Sequence, residues 1–433
     1  MKNKKVSVVT LGCSKNTVDS ERLINQIVVN NIEYTDNPLE AGTVILNTCG
    51  FIDAAKEESV QEILKAVKLK NEGKLDNVIV AGCLSERYMD ELIDEIPEVD
   101  HFFGTEEYEG IIKSLGGKVN YELLGERNVR GDIHSAYLKI SEGCDNPCSF
   151  CAIPLMRGKH KSLELDFLLG EAKSLVNKGA KELVIIGQDT TDWGKDLSGN
   201  RNTAYLLNKL SEIDGLQWIR LMYAYPSHFP DELIETIAGN EKICKYIDIP
   251  LQHISDKVLK SMRRGITKRR TLELLEKLRE KIPALTLRTT FITGYPAEGK
   301  EEFNELLDFV NEFKFDRLGV FSFSEEENTT SFILGDPVSG KEKNRRKRSI
   351  MEAQKEISAV KNKNFLNKEV TVLIDRFEDG QYFGRTYMDA PEVDGETILD
   401  RTGLILKPGD FVNALVYDSS EYDFFAEIKS VRT

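Results

Sequence analysis

The chain has 433 residues, enough for two or three domains with ample core, and its 40% hydrophobic and 30% charged residues make an ordinary soluble balance. A formal charge of -14 weighs against a surface built mainly to grip nucleic acid, because affinity for phosphate comes from clustered Lys and Arg. The opening Met1-Lys2-Asn3-Lys4-Lys5 runs into Val6-Ser7-Val8-Val9, too short an apolar run for a signal peptide or a membrane span, so a cytoplasmic protein with no membrane partner is expected.

Residues 1–127 read as alternating strands and helices: strands at 6–11, 43–47 and 78–81, helices at 19–29 and 54–69. Such alternation predicts a parallel α/β sheet. A cysteine follows each strand, in Leu11-Gly12-Cys13, Asn47-Thr48-Cys49 and Ala81-Gly82-Cys83. Each alone reads as a small buried core residue. The C-terminal ends of parallel strands share one edge, where open sheets bind ligands, so the three thiols together predict one site and a second cluster.

Residues 128–366 repeat a βα unit, with candidate strands at 136–140, 183–187, 218–224, 246–250, 285–293 and 318–323 and amphipathic helices such as 165–176 and 268–280. Six units predict an open (βα)6 partial TIM barrel with its active residues at the strand C-terminal ends. Directly after the first strand stand Cys144, Cys148 and Cys151, spaced C-x3-C-x2-C, with Phe150 before the last. Three thiolates at this spacing can wrap one 4Fe-4S cube and leave one iron open. Zinc is the competing reading, but neither a second C-x2-C pair nor a well-spaced His follows. Three cysteines cannot pair among themselves as disulfides. Lone Cys244, just before the fourth strand, reads as core packing. The later strand ends are polar or turn-forming: Gly187-Gln188-Asp189, Tyr223-Ala224-Tyr225-Pro226, Pro250-Leu251-Gln252-His253 and Thr293-Gly294-Tyr295-Pro296. His253 reads equally as a satisfied loop residue or a functional one. Arg288 lies within an apolar strand, and an inward charge there needs an anion, which a bound ligand's carboxylate could supply. The basic run from Lys341 to Arg348 leads into a helix, either a solvated face or a contact for ribosomal RNA or an acidic loop.

Residues 367–433 turn to period-two patterning at Val370, Val372 and Ile374, a Glu378-Asp379-Gly380 turn, and strands at 411–417 and 424–428, which predicts a small antiparallel β-barrel of OB type. From Lys368 onward it carries seven basic and fourteen acidic side chains, net -7. An acidic barrel suits a basic protein partner better than tRNA.

The cysteine loop with its aromatic resembles that of the radical S-adenosylmethionine (SAM) enzymes. The upstream triplet, with Asn16 and Asn47 beside it, resembles the methylthiotransferase family within that group, and the last segment resembles a TRAM domain. The resemblance implies an enzyme with two 4Fe-4S clusters, on Cys144, Cys148 and Cys151 and on Cys13, Cys49 and Cys83, with SAM bound at the open iron of the first and held by Phe150, Gln188, Arg288 and the Gly294 turn. It also implies an external electron donor. The run Gly384-Arg385-Thr386-Tyr387-Met388-Asp389-Ala390-Pro391-Glu392-Val393-Asp394-Gly395 resembles the family branch that modifies an aspartate β-carbon of small-subunit ribosomal protein twelve. The rival readings are a tRNA adenosine methylthiotransferase and a non-catalytic iron-sulfur protein that binds the ribosome.

Overall fold

The computed structural model describes residues 4–129, 133–400 and 403–432. Strands β1 (Val6–Thr10), β2 (Thr43–Thr48), β3 (Asn77–Gly82) and β4 (His101–Phe102) form a parallel sheet in sequence order. Alternation sends Val44, Leu46, Val78 and Val80 to one face and Val6, Ile45, Ile79 and Ala81 to the other. Helices α2 (Asp53–Asn71) and α3 (Cys83–Glu95) cover the first face, with Ile63, Val67, Leu84 and Leu92, while α1 (Ser14–Val29) covers the second with Leu23 and Ile27. Helix α1 begins at Ser14, five residues before the expected Asp19, and Cys83 is itself the first residue of α3. Two of the three cysteines therefore open helices rather than sit in loops.

The central unit holds β5 (Ser135–Lys139), a short hairpin of β6 (Ser141–Glu142) with β7 (Lys161–Ser162), then β8 (Glu182–Ile186), β9 (Trp218–Leu221), β10 (Ile243–Asp248), β11 (Thr286–Thr293) and β12 (Arg317–Ser322). Six of them lie parallel in the order β5-β8-β9-β10-β11-β12, an open arc as expected from six βα repeats. Its outer face packs Leu183, Ile185, Ile219, Ile247, Leu287 and Phe291 against the surrounding helices in the largest core. The helix Gly340–Lys363 starts with the Ser339 hydroxyl accepting from the Glu342 amide and buries Lys343, Arg346, Ile350, Gln354 and Ile357 along one stripe. The basic run thus divides. Arg346 pairs with Glu298, and Lys343 with Asp336 and the Phe323 carbonyl, whereas Lys341, Arg345, Lys347 and Arg348 face solvent.

The last unit is a closed five-stranded barrel of β13 (Glu369–Glu378), β14 (Gln381–Arg385), β15 (Thr397–Leu399), β16 (Phe411–Ser419) and β17 (Phe424–Arg432). The expected turn at Asp379-Gly380 is present, both residues at positive φ, which is what a tight two-residue hairpin requires. One pairing departs from the antiparallel expectation: β17 slots between β16 and β15 and runs parallel to β15, because the chain skips a strand position before returning.

This barrel seals the N-terminal end of the open arc. Buried Glu182, at the start of β8, accepts from Arg220 at 2.8 Å and from Arg385 of the last barrel at 2.8 Å. Arg220 also donates to the Tyr387 carbonyl at 2.6 Å, Arg317 pairs with Asp389, and Tyr246 donates to Asp394 at 2.7 Å. Leu373, Tyr387 and Ala390 pack there with Val184, Tyr246 and Cys244, the last buried as expected. Asp389, Ala390 and the Asp394 carboxylate accordingly plug this end, while Glu392 and Val393 remain exposed. Among the described residues no helix is long and apolar enough to cross a membrane.

Candidate functional site

Three thiols converge at the C-terminal edge of the first sheet. Cys49 is buried against Gly12, where an added Cβ would lie 2.8 Å from the Cys49 sulfur, so residue 12 has no room for a side chain. A Cβ on Gly50 would likewise stand 2.9 Å from the Cys83 carbonyl oxygen. Asn16 braces the site: its side-chain amide donates to the Leu11 carbonyl at 2.8 Å and the Thr48 carbonyl at 3.0 Å, and its oxygen lies 3.9 Å from the Cys83 sulfur. Asn47 donates to the Asn16 carbonyl at 3.1 Å and to Ser20 at 3.0 Å. Burial pushes the Cys83 thiol up to about 12 and raises Cys49; Cys83 also feels Cys49 and Cys13, and Cys49 feels Cys13. Cys13 is exposed.

The second triplet lies on the loop after β5. Gly143 has φ +69°, and an added Cβ would run into the Lys159 carbonyl. The Cys144 amide donates to the Gly158 carbonyl at 3.2 Å, and Asn146 donates to the Cys144 sulfur at 3.4 Å and to Asp189 at 2.7 Å. Arg264 donates to the Cys148 sulfur at 3.2 Å while stacked over the Tyr225 ring, whose hydroxyl donates to the Arg264 carbonyl at 2.8 Å. The Ser149 amide donates to the Met262 carbonyl at 3.0 Å, and Phe150 packs with Val258, Met262, Tyr295 and Phe323. Burial lifts Cys144 to about 11 and Cys151 to about 12. Among the described residues no group of three His, Cys, Asp or Glu side chains closes on one metal ion. A single zinc needs all its donors on one atom, whereas a cube seats each thiolate on a different iron. Three thiols at each triplet are the donor set that a 4Fe-4S cube takes at three of its four irons.

Gln188, after β8, donates to Glu142 at 2.7 Å while its own oxygen is buried without a partner, as is that of Gln252 after β10. Orphaned buried acceptors at strand ends beside the loop fit a cationic donor such as the SAM ammonium. The other expected SAM residues part company. Gly294, at φ +78°, closes a turn whose missing side chain makes room for Lys343. Arg288 lies near the start of β11, not its end, and its anions are the protein's own: Asp248 at 2.8 Å and Asp394 at 3.5 Å. The rule that a buried charge needs a partner held, but the partners are fixed carboxylates, so Arg288 belongs to the plug and not to the ligand. His253 is fully buried, accepts from the Ser255 amide at 3.0 Å and meets Glu298 at 3.2 Å, the satisfied reading of the two.

Between the triplets lies a buried ionic quartet that the sequence did not disclose. Lys139 pairs with Asp19 and with Glu142 at 2.6 Å. Arg157 pairs with Asp19 at 2.7 Å and Glu142 at 3.1 Å, and reaches Asn16 and the Cys83 sulfur, the latter at 3.2 Å. Burial opposes the charge on both carboxylates, yet Lys139 and Arg157 hold each below the usual range. Lys139 inside the apolar Tyr137–Ile140 strand was the available signal. A cavity of about 470 Å³ beside His134, Tyr137, Arg385 and Glu392 lies at the plug end and touches neither triplet.

Comparisons agree with this architecture. Residues 138–310 match the radical SAM superfamily, residues 5–104 match uncharacterized protein family UPF0004, and residues 368–428 match the TRAM domain. The chain is 49% identical over 99% of both chains to "Ribosomal protein uS12 methylthiotransferase RimO" of Chloroherpeton thalassium. It is 48% identical to the protein of the same name from Flavobacterium johnsoniae, over 99% of this chain and 98% of that one. Among solved structures, the radical SAM methyltransferase TsrM of Kitasatospora setae superposes with TM-score 0.56 at 14% identity, covering 73% of this chain and 72% of that one, a likeness of fold.

Proposed function

The chain belongs to the family of ribosomal protein uS12 methylthiotransferases, and from that premise we propose that it attaches a methylthio group to the β-carbon of an aspartate in uS12 by radical SAM chemistry. We assign one 4Fe-4S cluster to Cys144, Cys148 and Cys151 and an auxiliary one to Cys13, Cys49 and Cys83. The observation that carries this reading is the juxtaposition of two three-thiol sites at strand C-terminal edges, linked through Arg157. Once bound, the loop cluster supplies the electron that breaks a carbon–sulfur bond of SAM, chemistry that no acid or base of the chain can replace at an unactivated C–H bond.

The chain's own residues do the rest. Gln188 offers its free oxygen to the SAM ammonium, Phe150 walls the loop, and Arg264 braces Cys148. The last unit packs on the N-terminal end of the arc through Glu182, Arg220 and Arg385, so access to the thiol loop is left to the opposite end. Three units divide the work: 1–127 for the auxiliary cluster, 128–366 for SAM, and 367–433 for the partner. Glu369, Glu378, Asp379, Asp418 and Glu427 keep the outer surface of the last unit acidic, which supports a basic protein over tRNA as its partner. An external one-electron donor completes the reaction. Incubating the reconstituted enzyme with SAM, reductant and either uS12 or tRNA, then weighing both, tests the reading. A gain on uS12 alone is expected, and a gain on tRNA alone overturns it.

A further inference from the structure

Each thiol triplet has a guanidinium on one of its sulfurs, Arg264 on Cys148 and Arg157 on Cys83, both at 3.2 Å. Arg264 serves its own loop's neighbourhood. Arg157 does something different: it ends the short helix Ile153–Arg157 that directly follows the SAM loop, yet its Nε–H points across the interface to the sulfur of the other triplet. It is buried to 7% exposure, and its remaining N–H groups are committed to Asp19, Glu142 and Asn16. Two cations and two carboxylates balance the quartet without any help from Cys83. The bond to sulfur is therefore additional to what charge neutrality requires. Asn16 receives Arg157 and also ties the ends of β1 and β2, so the guanidinium is fixed relative to the whole auxiliary edge.

We propose that Arg157 is a positioning residue of the auxiliary site, donating to the Cys83 sulfur so that it fixes that ligand and draws electron density from it, raising the auxiliary cluster's reduction potential. Hydrogen bonds and positive charge at the ligand sulfurs favour the reduced, more negative state of an iron-sulfur cluster. Because Arg157 is covalently part of the SAM loop's own helix, the same bond holds the two sites in register. This rests on the assignment of Cys13, Cys49 and Cys83 as cluster ligands.

The test uses the full chain with Cys144, Cys148 and Cys151 replaced by Ala, which isolates the auxiliary site, with and without Arg157→Lys. Lysine keeps the quartet's charge and removes the Nε–H donor. The first measurement is iron content, and a background that takes up no iron refutes the cluster assignment itself. With iron bound, redox titration followed by electron paramagnetic resonance is expected to show the Arg157→Lys midpoint shifted to more negative potential. In the otherwise native chain, the variant keeps its loop cluster and still forms 5'-deoxyadenosine, but transfers less methylthio group per SAM cleaved. Loss of the auxiliary iron alone, with 5'-deoxyadenosine formation kept, also supports the proposal. An unmoved midpoint overturns it, as does an equal shift of both clusters in the native chain, since that reports general disturbance.

Discussion

A thiol buried as Cys83 is does not ionise by itself, and what turns such a residue into a ligand is its setting. Cys83 opens α3 and Cys13 precedes the first turn of α1, so the positive ends of two helix dipoles face the upstream thiol triplet. Glycines do the complementary task of letting backbone approach. Gly143→Ala places a methyl group on the Lys159 carbonyl at a backbone angle that costs an alanine about 1 kcal/mol or more. The expected outcome is loss of the loop cluster alone, seen as a fall from about eight to about four irons per chain. The six cysteines that the fold gathers into two triplets were legible because spacing and strand ends mark them. Arg288 was half legible: its need for an anion could be read from the apolar strand around it, whereas Asp394, which supplies one, lies over a hundred residues away. Asp19, Glu142 and Arg157 carried no local mark at all, since their meaning arises only when α1 is laid against β5.

At the scale of elements, the arc's two ends are separately finished. Its C-terminal end carries thiols and orphaned acceptors, and its N-terminal end is filled by the Arg385–Asp394 segment. That run resembles the family branch shown by the relatives, and two of its carboxylates, Asp389 and Asp394, turn inward on Arg317 and Arg288 while Glu392 stays exposed. Sequence alone does not say which way a loop faces. Asp389→Ala removes the carboxylate that the largely buried Arg317 pairs with, so it is expected to destabilise the junction by about 1–3 kcal/mol, read as a lower unfolding midpoint and earlier proteolytic release of the last unit. Glu182 gives a pH signature. Burial opposes its charge, but Arg385 and Arg220 bring its carboxyl down to about 2, below the unfolded value near 4.3. The stabilisation is full above the unfolded value and is lost as pH falls through the folded one. It corresponds to about 3 kcal/mol. Acid unfolding between about pH 4.5 and 2 should therefore begin at the junction, and Glu182→Gln should flatten that part of the stability profile.

For the whole molecule, the six-unit arc, the upstream sheet and the small barrel were all readable from periodicity and repeats. Their mutual packing was not, because it is carried by long-range ion pairs. That packing matters for function: α1 sits between the first sheet and the arc, contributing Asp19 to the quartet, Arg22 to Glu171 and Glu21 to Arg127. The two thiol triplets are thus joined through these ion pairs and not only through the connecting chain. The most direct measurement of this account is the mass of uS12 after reaction with three enzymes: the native chain, one with Cys13, Cys49 and Cys83 replaced by Ala, and one with Cys144, Cys148 and Cys151 replaced. The account predicts a methylthio gain with the native chain only, while the first variant still cleaves SAM and the second does not. Methylthio transfer by either variant would contradict it.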